Sequence, residues 1–171
     1  MIQIIDKHMI YLNIHLKMIE FNFLDNWSFE DGETQTAWEL TDNYLGTANE
    51  ADQLYVENKK SDSLTGDYHA HFWSDNTKKV DITVSQKLTN LEAGTYKFSL
   101  SVMGGDCADQ ENYIFVNVNG IDVATKTATI TSYGNWDTEW LFNIEIPAEA
   151  TVIVGIHIKC GPSGNGAWGK I

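Results

Sequence analysis

Hydrophobic and polar residues alternate with a period of two along most of the chain after residue 20. Between positions 80 and 84, for example, Val80, Ile82 and Val84 alternate with Asp81 and Thr83. Successive side chains of a β-strand point to opposite faces, so this pattern predicts strands that bury one face. No window beyond residue 21 sustains the 3.6-residue apolar period of an amphipathic helix. The pattern therefore predicts an all-β protein.

Glycine, asparagine and other turn-forming residues divide this pattern into short segments. Asn119-Gly120 is a typical hairpin turn between two of them. The predicted strands cover residues 21–29, 38–40, 54–57, 66–74, 80–88, 96–103, 112–118, 140–146, 151–159 and 167–171. Short strands without crossover helices indicate an antiparallel β-sandwich, and a jelly roll is the specific topology that we expect.

The alternation also predicts the positions of several tryptophans. Trp140 is expected in the core because it opens an apolar row along its strand. That row continues with Phe142, Ile144 and Ile146. Trp27 and Trp38 are assigned to packing, since most tryptophans in proteins are largely buried.

One predicted strand combines alternation with unusual chemistry. Ala70 and Phe72 would point to one of its faces, and the rings of His69, His71 and Trp73 to the other. An indole packs well on the apolar face of a pyranose, and imidazoles hydrogen-bond to hydroxyl groups, so this face suits a sugar-binding groove. The alternative is that a second layer of structure covers the face and buries Trp73. The pattern alone favours neither interpretation.

Composition limits the classes of partner. The 171 residues include 43% hydrophobic residues, enough for one domain with a substantial core. The 11 basic residues, all of them lysine, face 24 acidic ones, for a formal net charge of −13. This balance argues against binding to nucleic acid or to an anionic membrane surface, because both attract positive patches. It is compatible with a neutral or cationic ligand, or with calcium.

The first twenty residues depart from the pattern of the rest. They are apolar, but charged residues and histidines interrupt any run long enough for a signal sequence or a membrane span. Alternation over residues 12–18 could add a strand. We assign residues 1–20 to an extension or linker remnant and residues 21–171 to the domain.

Motifs of familiar catalytic chemistry are absent from the sequence. It contains no nucleophile elbow, phosphate-binding loop, HExxH motif or paired-cysteine metal motif. Carboxylates are numerous, so counting does not exclude a pair for glycoside hydrolysis. Cys107 and Cys160 each follow a predicted strand, which leaves a disulfide between them as one possibility.

Aromatic residues in or beside predicted loops are candidates for ligand contact. They are Trp73, Tyr133, Trp136, Trp140 and Trp168. Trp136 is favoured over Trp140 because it lies within the loop itself.

Several short motifs resemble those of a known family. The segment Asn-Trp-Ser-Phe-Glu-Asp-Gly at 26–32 resembles the start of many calcium-binding jelly-roll carbohydrate-binding modules. The chain also contains His-Phe-Trp-Ser at 71–74, Leu-Glu-Ala-Gly-Thr-Tyr at 91–96, Gly-Gly-Asp at 104–106, the Trp136/Trp140 pair and Gly-Ala-Trp-Gly at 166–169. In this combination the chain is similar, from about residue 26 to its end, to the family 61 carbohydrate-binding modules.

Modules of that family accompany bacterial endo-β-1,4-galactanases and bind β-1,4-galactan. The resemblance therefore implies a secreted bacterial module without catalytic activity. It would be monomeric and would hold a covalently linked glycoside hydrolase on pectic galactan by raising the local substrate concentration.

The resemblance also implies a set of ligand-binding residues. They are His71, Trp73, Asp106, Tyr113, Trp136 and Trp168. Trp73 and Trp168 would stack on galactose rings, with Trp136 and Tyr113 as further platforms. His71 and Asp106 would form hydrogen bonds to sugar hydroxyls.

A structural calcium ion is a further implication, with Glu30 as one of its ligands. Modules of this family usually continue after the Gly-Ala-Trp-Gly strand with an acidic pair that supplies a calcium ligand, whereas the present sequence ends at Ile171. Trp27 also stands where the family more often has a small residue.

Two other classes of function stay open on the sequence. A catalytic jelly-roll domain, either a polysaccharide lyase or a hydrolase, would need an acid and a base in the groove. A structural or adhesive sandwich domain would bind another glycan or none.

Overall fold

A computed structural model of the chain describes residues 3–6 and 21–171. Its strands are β1 (Gln3–Asp6), β2 (Glu39–Asp42), β3 (Gln53–Asn58), β4 (Tyr68–Trp73), β5 (Val80–Leu88), β6 (Gly94–Gly105), β7 (Cys107–Ala108), β8 (Tyr113–Val118), β9 (Ile121–Thr127), β10 (Asp137–Ile146), β11 (Val152–Pro162) and β12 (Trp168–Lys170). Two short 3₁₀ helices cover Gly32–Thr34 and Lys60–Asp62. In the described part of the chain, no helix has the length and apolar character needed to cross a membrane.

The strands form two six-stranded sheets. The first has the order β1-β6-β12-β4-β3, with β10 also paired to β6. The second has the order β2-β5-β11-β8-β9, with β7 also paired to β11. The recorded strand pairs are antiparallel, and side chains from both sheets form one core between them. The predicted antiparallel β-sandwich is confirmed.

The core consists of the rows that the alternation assigned to the inner faces. Phe98 and Leu100 from the first sheet meet Ile114 and Val154 from the second, and all four are fully buried. Removing side chains of this size from water contributes about 1.5–3 kcal/mol each. Local periodicity thus identified the buried faces of β5, β6 and β8 correctly.

The prediction that Trp140 and Phe142 are core residues was wrong. Leu141 is buried in their place and Phe142 is 60% exposed, whereas Ile144 and Ile146 of the same predicted row are buried as expected. A β-bulge lies between Leu141 and Ile144, and within it Asn143 has a φ of 56°. The extra residue shifts the alternation along β10. Trp140 and Phe142 therefore stack with each other, their ring centroids 5.9 Å apart.

Two other segments differ from the prediction. Residues 21–29 form turns with one isolated bridge, because Asn26 and Phe29 adopt left-handed backbone angles that a strand does not allow. The strand β9 was missed altogether. Nearly all its residues are exposed, so it carries no hydrophobic alternation for the sequence pattern to show.

The first sheet includes part of the N-terminal segment. Residues 3–6, as β1, pair with residues 96–99 of β6. The alternation noted over residues 12–18 lies outside the described residues. The domain boundary at residue 21 stays a prediction.

The two cysteines are close to each other as free thiols. A hydrogen bond with Cys160 and then burial raise the pKa of the Cys107 thiol. The disulfide that the sequence left open is not formed in the described structure.

Candidate functional site

A cleft of about 470 Å³ opens on the outer face of the first sheet. Residues of β3, β4 and β12 line it, together with Lys59 and Asp62 at the second 3₁₀ helix and Tyr133 of the loop before β10. Its lining residues are Gln53, Glu57, Lys59, Asp62, His71, Trp73, Tyr133, Trp168 and Lys170. The volume falls within the range of about 300–1,000 Å³ that is usual for small-ligand sites.

Two indoles lie side by side in this cleft. Trp168 of β12 is the direct cross-strand partner of Trp73 of β4, and both side chains are partly exposed. The ring of Trp168 lies over Gly105, where an added Cβ would come within 3.1 Å of the indole Nε1. Tyr133 approaches from the loop, 62% exposed, with its ring centroid 6.2 Å from that of Trp168 and tilted by 45°. The cleft thus presents three accessible aromatic rings, and Trp73 is not buried under a second layer.

A buried ammonium group lies beside these rings. Lys170 is 4% exposed, and its Nζ is 2.5 Å from Glu57 Oε2 and 3.4 Å from Asp62 Oδ2. A buried charge is costly unless it is paired and hydrogen-bonded. The two carboxylates meet this requirement.

The ammonium also determines the tautomer of His71. An ammonium group only donates, so His71 Nδ1 accepts from Lys170 Nζ at 3.2 Å. The ring proton is then on Nε2, which donates to Gln53 Oε1 at 2.9 Å. Burial, and then the charge of Lys170, lowers the pKa of His71 to about 4. The imidazole is therefore neutral at pH 7.

His69 occupies the neighbouring outward position of β4. Its Nε2 donates to the Glu57 carboxylate at 2.9 Å, and its Nδ1 accepts from the Ser63 hydroxyl at 2.9 Å. Burial lowers the pKa of His69, and the charge of Lys170 adds to this. Burial raises the pKa of Glu57, but the hydrogen bonds from Lys170 and His69 outweigh it, so the net shift is downward. This part of the cleft thus holds neutral imidazoles and an ionised carboxylate.

Asp62 connects Tyr133 to the cleft. Its Oδ1 accepts from the Tyr133 hydroxyl at 3.0 Å and from the Ser61 hydroxyl at 2.8 Å. Its Oδ2 is 2.9 Å from Lys59 Nζ. Burial raises the pKa of Asp62, yet these hydrogen bonds and the charge of Lys170 lower it well below its usual value. The ionised carboxylate therefore holds the exposed ring of Tyr133 next to Trp168.

The described residues contain one cluster with the spacing of metal ligands. Atoms of Glu57, His69 and His71 lie within 4.8 Å of one another. The Lys170 ammonium already contacts two of these residues, and each of the four ring nitrogens has a hydrogen-bond partner. This cluster is therefore satisfied by an internal ammonium rather than by a metal ion.

Glu30, the expected calcium ligand, lies outside the cleft. Its Oε1 accepts the backbone N–H groups of Asp67 and Tyr68 at 3.0 and 3.1 Å. Gly66 permits this approach, since a Cβ there would be 2.1 Å from the same oxygen. Calcium takes about six to eight oxygen ligands. Within residues 21–171, Glu30 belongs to no cluster of three His, Cys, Asp or Glu side chains, and the calcium ion stays an untested prediction.

The cleft brings together half of the ligand-binding residues expected from the sequence. Those present are His71, Trp73 and Trp168. The others lie elsewhere, and for them ligand contact stays an expectation from the sequence alone.

Each of the remaining residues has a different environment. Asp106 accepts the backbone N–H of Asn165 at 3.2 Å and thereby organises the turn before β12. Tyr113 lies on the outer face of the second sheet, where its ring centroid is 5.1 Å from that of His157. Trp136 lines a separate, small cavity.

The polar lining of the cleft was not foreseen. The residues missed are Gln53, Glu57, Lys59, Asp62 and Lys170. A signal existed for Lys170, which is two residues after Trp168 and hence on the same face of its strand. For Gln53 and Glu57 the missing information was the pairing of β3 with β4, which places them opposite Trp73 and His69.

Comparison with known proteins identifies similar folds. No protein-family model matches this sequence, and neither does any curated protein. Among solved structures, TmCBM61 in complex with β-1,4-galactotriose matches with a TM-score of 0.69 and 21% identity, over 88% of this chain and 93% of that one. The two proteins share a fold. The architecture implied by the family 61 resemblance is thereby confirmed.

Two further structures show the same sandwich. One, described as "CBM4 structure and function", matches with a TM-score of 0.54 and 14% identity, over 86% of this chain and 94% of that one. The enzymatically active domain of tailspike protein 4 from bacteriophage CBA120 matches with a TM-score of 0.58 and 12% identity. That match covers 87% of this chain but 20% of the tailspike chain, so the sandwich also occurs within a larger protein.

Proposed function

We propose that this chain is a non-catalytic carbohydrate-binding module whose cleft binds β-1,4-galactan. The observation that carries the proposal is the side-by-side placement of Trp73 and Trp168 next to hydrogen-bonding groups. Indole rings pack on the apolar faces of pyranoses, and polar neighbours recognise the hydroxyls. The axial O4 of galactose bends a β-1,4-linked chain, and the tilted ring of Tyr133 suits a bent ligand. The fold shared with a galactotriose-binding protein supports the same ligand class.

The catalytic alternative has less support from the cleft. Glu57 and Asp62 are the two carboxyl groups among its described lining residues. Glycoside hydrolysis needs one carboxyl group with a raised pKa to protonate the leaving oxygen. Ion pairs and hydrogen bonds lower the pKa of both groups instead.

The proposal includes a targeting role in a larger protein. The module would be extracellular and bacterial, would act as a monomer, and would keep a covalently linked glycoside hydrolase on pectic galactan. Sequencing the coding region on both sides of this segment tests that part, because it should continue into a catalytic domain.

Affinity electrophoresis through gels containing galactan, arabinan, xylan or β-glucan tests the binding function. We expect retardation by galactan and little or none by the other three. Incubation with galactan should release no reducing ends, whereas a catalytic domain would release them. Unretarded migration in the galactan gel would overturn the proposal.

A further inference from the structure

We propose that Gln53 is an additional ligand-binding residue, which presents its amide N–H₂ group to a sugar hydroxyl. The inference rests on the proposed galactan-binding function and adds a donor of defined orientation to the cleft. No motif in the sequence indicated this residue, and its role follows from the strand pairing and from the hydrogen bonds around it.

The position of Gln53 places its side chain next to the aromatic rings. It is the direct cross-strand partner of Trp73 in the β3–β4 pair, and Trp73 in turn is the partner of Trp168. Gln53 is exposed and lines the cleft together with both indoles. A sugar ring stacked on Trp73 would therefore have the Gln53 amide at its edge.

A chain of three hydrogen bonds determines which end of that amide faces the ligand. Glu57 accepts from the Lys170 ammonium, which also donates to His71 Nδ1. The proton of His71 must then be on Nε2, which donates to Gln53 Oε1. If the Gln53 amide were flipped, its –NH₂ group would face the Nε2–H group of His71, and both of these groups are donors. The oxygen is thus engaged, and the –NH₂ group is the end that remains for a ligand.

This arrangement gives the cleft a preorganised donor. An exposed glutamine normally rotates freely and offers either its oxygen or its nitrogen, and fixing it costs free energy on binding. Here His71 holds the amide before the ligand arrives. The hydroxyls of a pyranose accept hydrogen bonds, so this donor is suited to a sugar chain. Lys170 and His71 act on the ligand through Gln53 and are in this respect positioning residues.

The test uses the full chain and β-1,4-galactotriose as the ligand. Gln53→Glu keeps an oxygen close to His71 Nε2 and removes both N–H donors. We expect calorimetry to show a loss of affinity of roughly five- to tenfold, as for the removal of a neutral hydrogen bond from a binding site. Asn58→Asp is the matched control, since it makes the same chemical change at an exposed position at the other end of β3, and its affinity should equal that of the wild type.

Nuclear magnetic resonance separates a direct contact from an indirect effect. The side-chain amide signals of Gln53 can be assigned because they are absent from the spectrum of the Gln53→Glu variant. We expect them to shift during a galactotriose titration with the same dissociation constant as the Trp73 indole N–H. In the free protein, the ring nitrogens of His71 should show the Nε2–H tautomer.

The outcomes distinguish this inference from the function on which it rests. If the Trp73 indole signal shifts and the Gln53 amide signals stay unmoved, galactan binding stands and the role of Gln53 is overturned. An Nδ1–H tautomer for His71 would overturn the orientation argument in the same way. If wild-type protein shows no heat and no shifts with galactotriose, the proposed function fails and this inference fails with it.

Discussion

The two outer faces of the sandwich carry similar side chains in different surroundings. On the first sheet, His71 lies among Gln53, Lys170 and the indoles of the cleft. On the second sheet, His157 lies 5.1 Å from Tyr113, measured between ring centroids, and 2.8 Å from a carboxylate oxygen of Asp81. The side chain of His71 is 10% exposed, against 19% for that of His157.

The difference comes from segments that lie outside the strands. The turn at residues 60–62 and the loop that carries Tyr133 border the first face and make it concave. His157 contacts Asp81 of β5 and Tyr113 of β8, which are residues of the two neighbouring strands. An aromatic ring and a histidine on an outer strand face therefore do not suffice for a site. The flanking segments decide whether those groups share a cavity.

Acidification should destabilise the protein through His71 on the first face. The pKa of His71 is about 4 in the folded protein against 6.5 for an ordinary histidine, so between these values the unfolded chain binds a proton that the folded chain does not. The contribution of His71 to the free energy of unfolding is therefore fully present above pH 6.5. It is lost as the pH falls towards 4, which lowers the free energy of unfolding by about 3 kcal/mol. The groups that face His71 are Lys170, Glu57, His69, Gln53 and Tyr55. The lowered pKa of His69 adds to the loss on acidification, and that of Glu57 adds a further loss in more acidic solution.

Urea unfolding across this pH window measures the effect. His71→Gln should flatten the dependence of the free energy of unfolding on pH. An equally steep dependence in the His71→Gln protein would show that the histidine is not its source.

Removal of one aromatic ring from each face should show which of the two faces binds the ligand. Trp73→Ala should cost about 2 kcal/mol of galactan binding, a loss of roughly thirtyfold, by analogy with aromatic anchors at other interfaces. Folding should persist because the ring is partly exposed. On the geometry, Tyr113→Ala should bind as the wild type does.

Calorimetry with galactotriose and thermal denaturation on both variants check this expectation. A well-folded Trp73→Ala protein with unchanged affinity would contradict the assignment of the cleft. A comparable loss in Tyr113→Ala would instead show that the second face also binds the ligand.

The hydrogen bond between Tyr133 and Asp62 should make a smaller contribution. Tyr133→Phe keeps the ring but removes the bond, whose typical net value is about 1 kcal/mol, so galactotriose should bind roughly fivefold more weakly. Tyr113→Phe on the second face is the matched control. Hydrogen exchange of the loop amides at 131–136 should accelerate in Tyr133→Phe. Unchanged exchange together with unchanged affinity would show that the bond does not hold the loop in place.

Removal of calcium should have the smallest effect of all, and it should change the melting temperature rather than the ligand affinity of either face. Since the recorded partners of the Glu30 carboxylate are backbone N–H groups, we expect EDTA to change the melting temperature by less than about 2 °C. A drop of several degrees that calcium reverses, and that Glu30→Gln abolishes, would establish the calcium site that the family resemblance implied.

The sequence was sufficient for features that depend on local periodicity. Alternation placed His69, His71 and Trp73 on the outer face of β4, and Ala70 and Phe72 in the core, because side-chain direction in a strand repeats every two residues. The hairpin at Asn119-Gly120 was also predicted correctly, and both residues have the positive φ that its turn requires. Local inference failed for Trp140 because one bulge on β10 reverses the alternation, and the residues that form it carry no distinctive pattern.

Only the tertiary structure decided the chemistry of the cleft. Lys170 is 113 residues from Glu57 and 99 residues from His71 along the chain, and the pairing of β12 and β3 with β4 brings all three together. Each lysine and glutamate taken alone has the pattern of a solvated strand face. Their burial, their paired charges and the orientation of Gln53 arise from strand order, which hydrophobic periodicity does not encode because it reports the environment of one strand and not the identity of its neighbours.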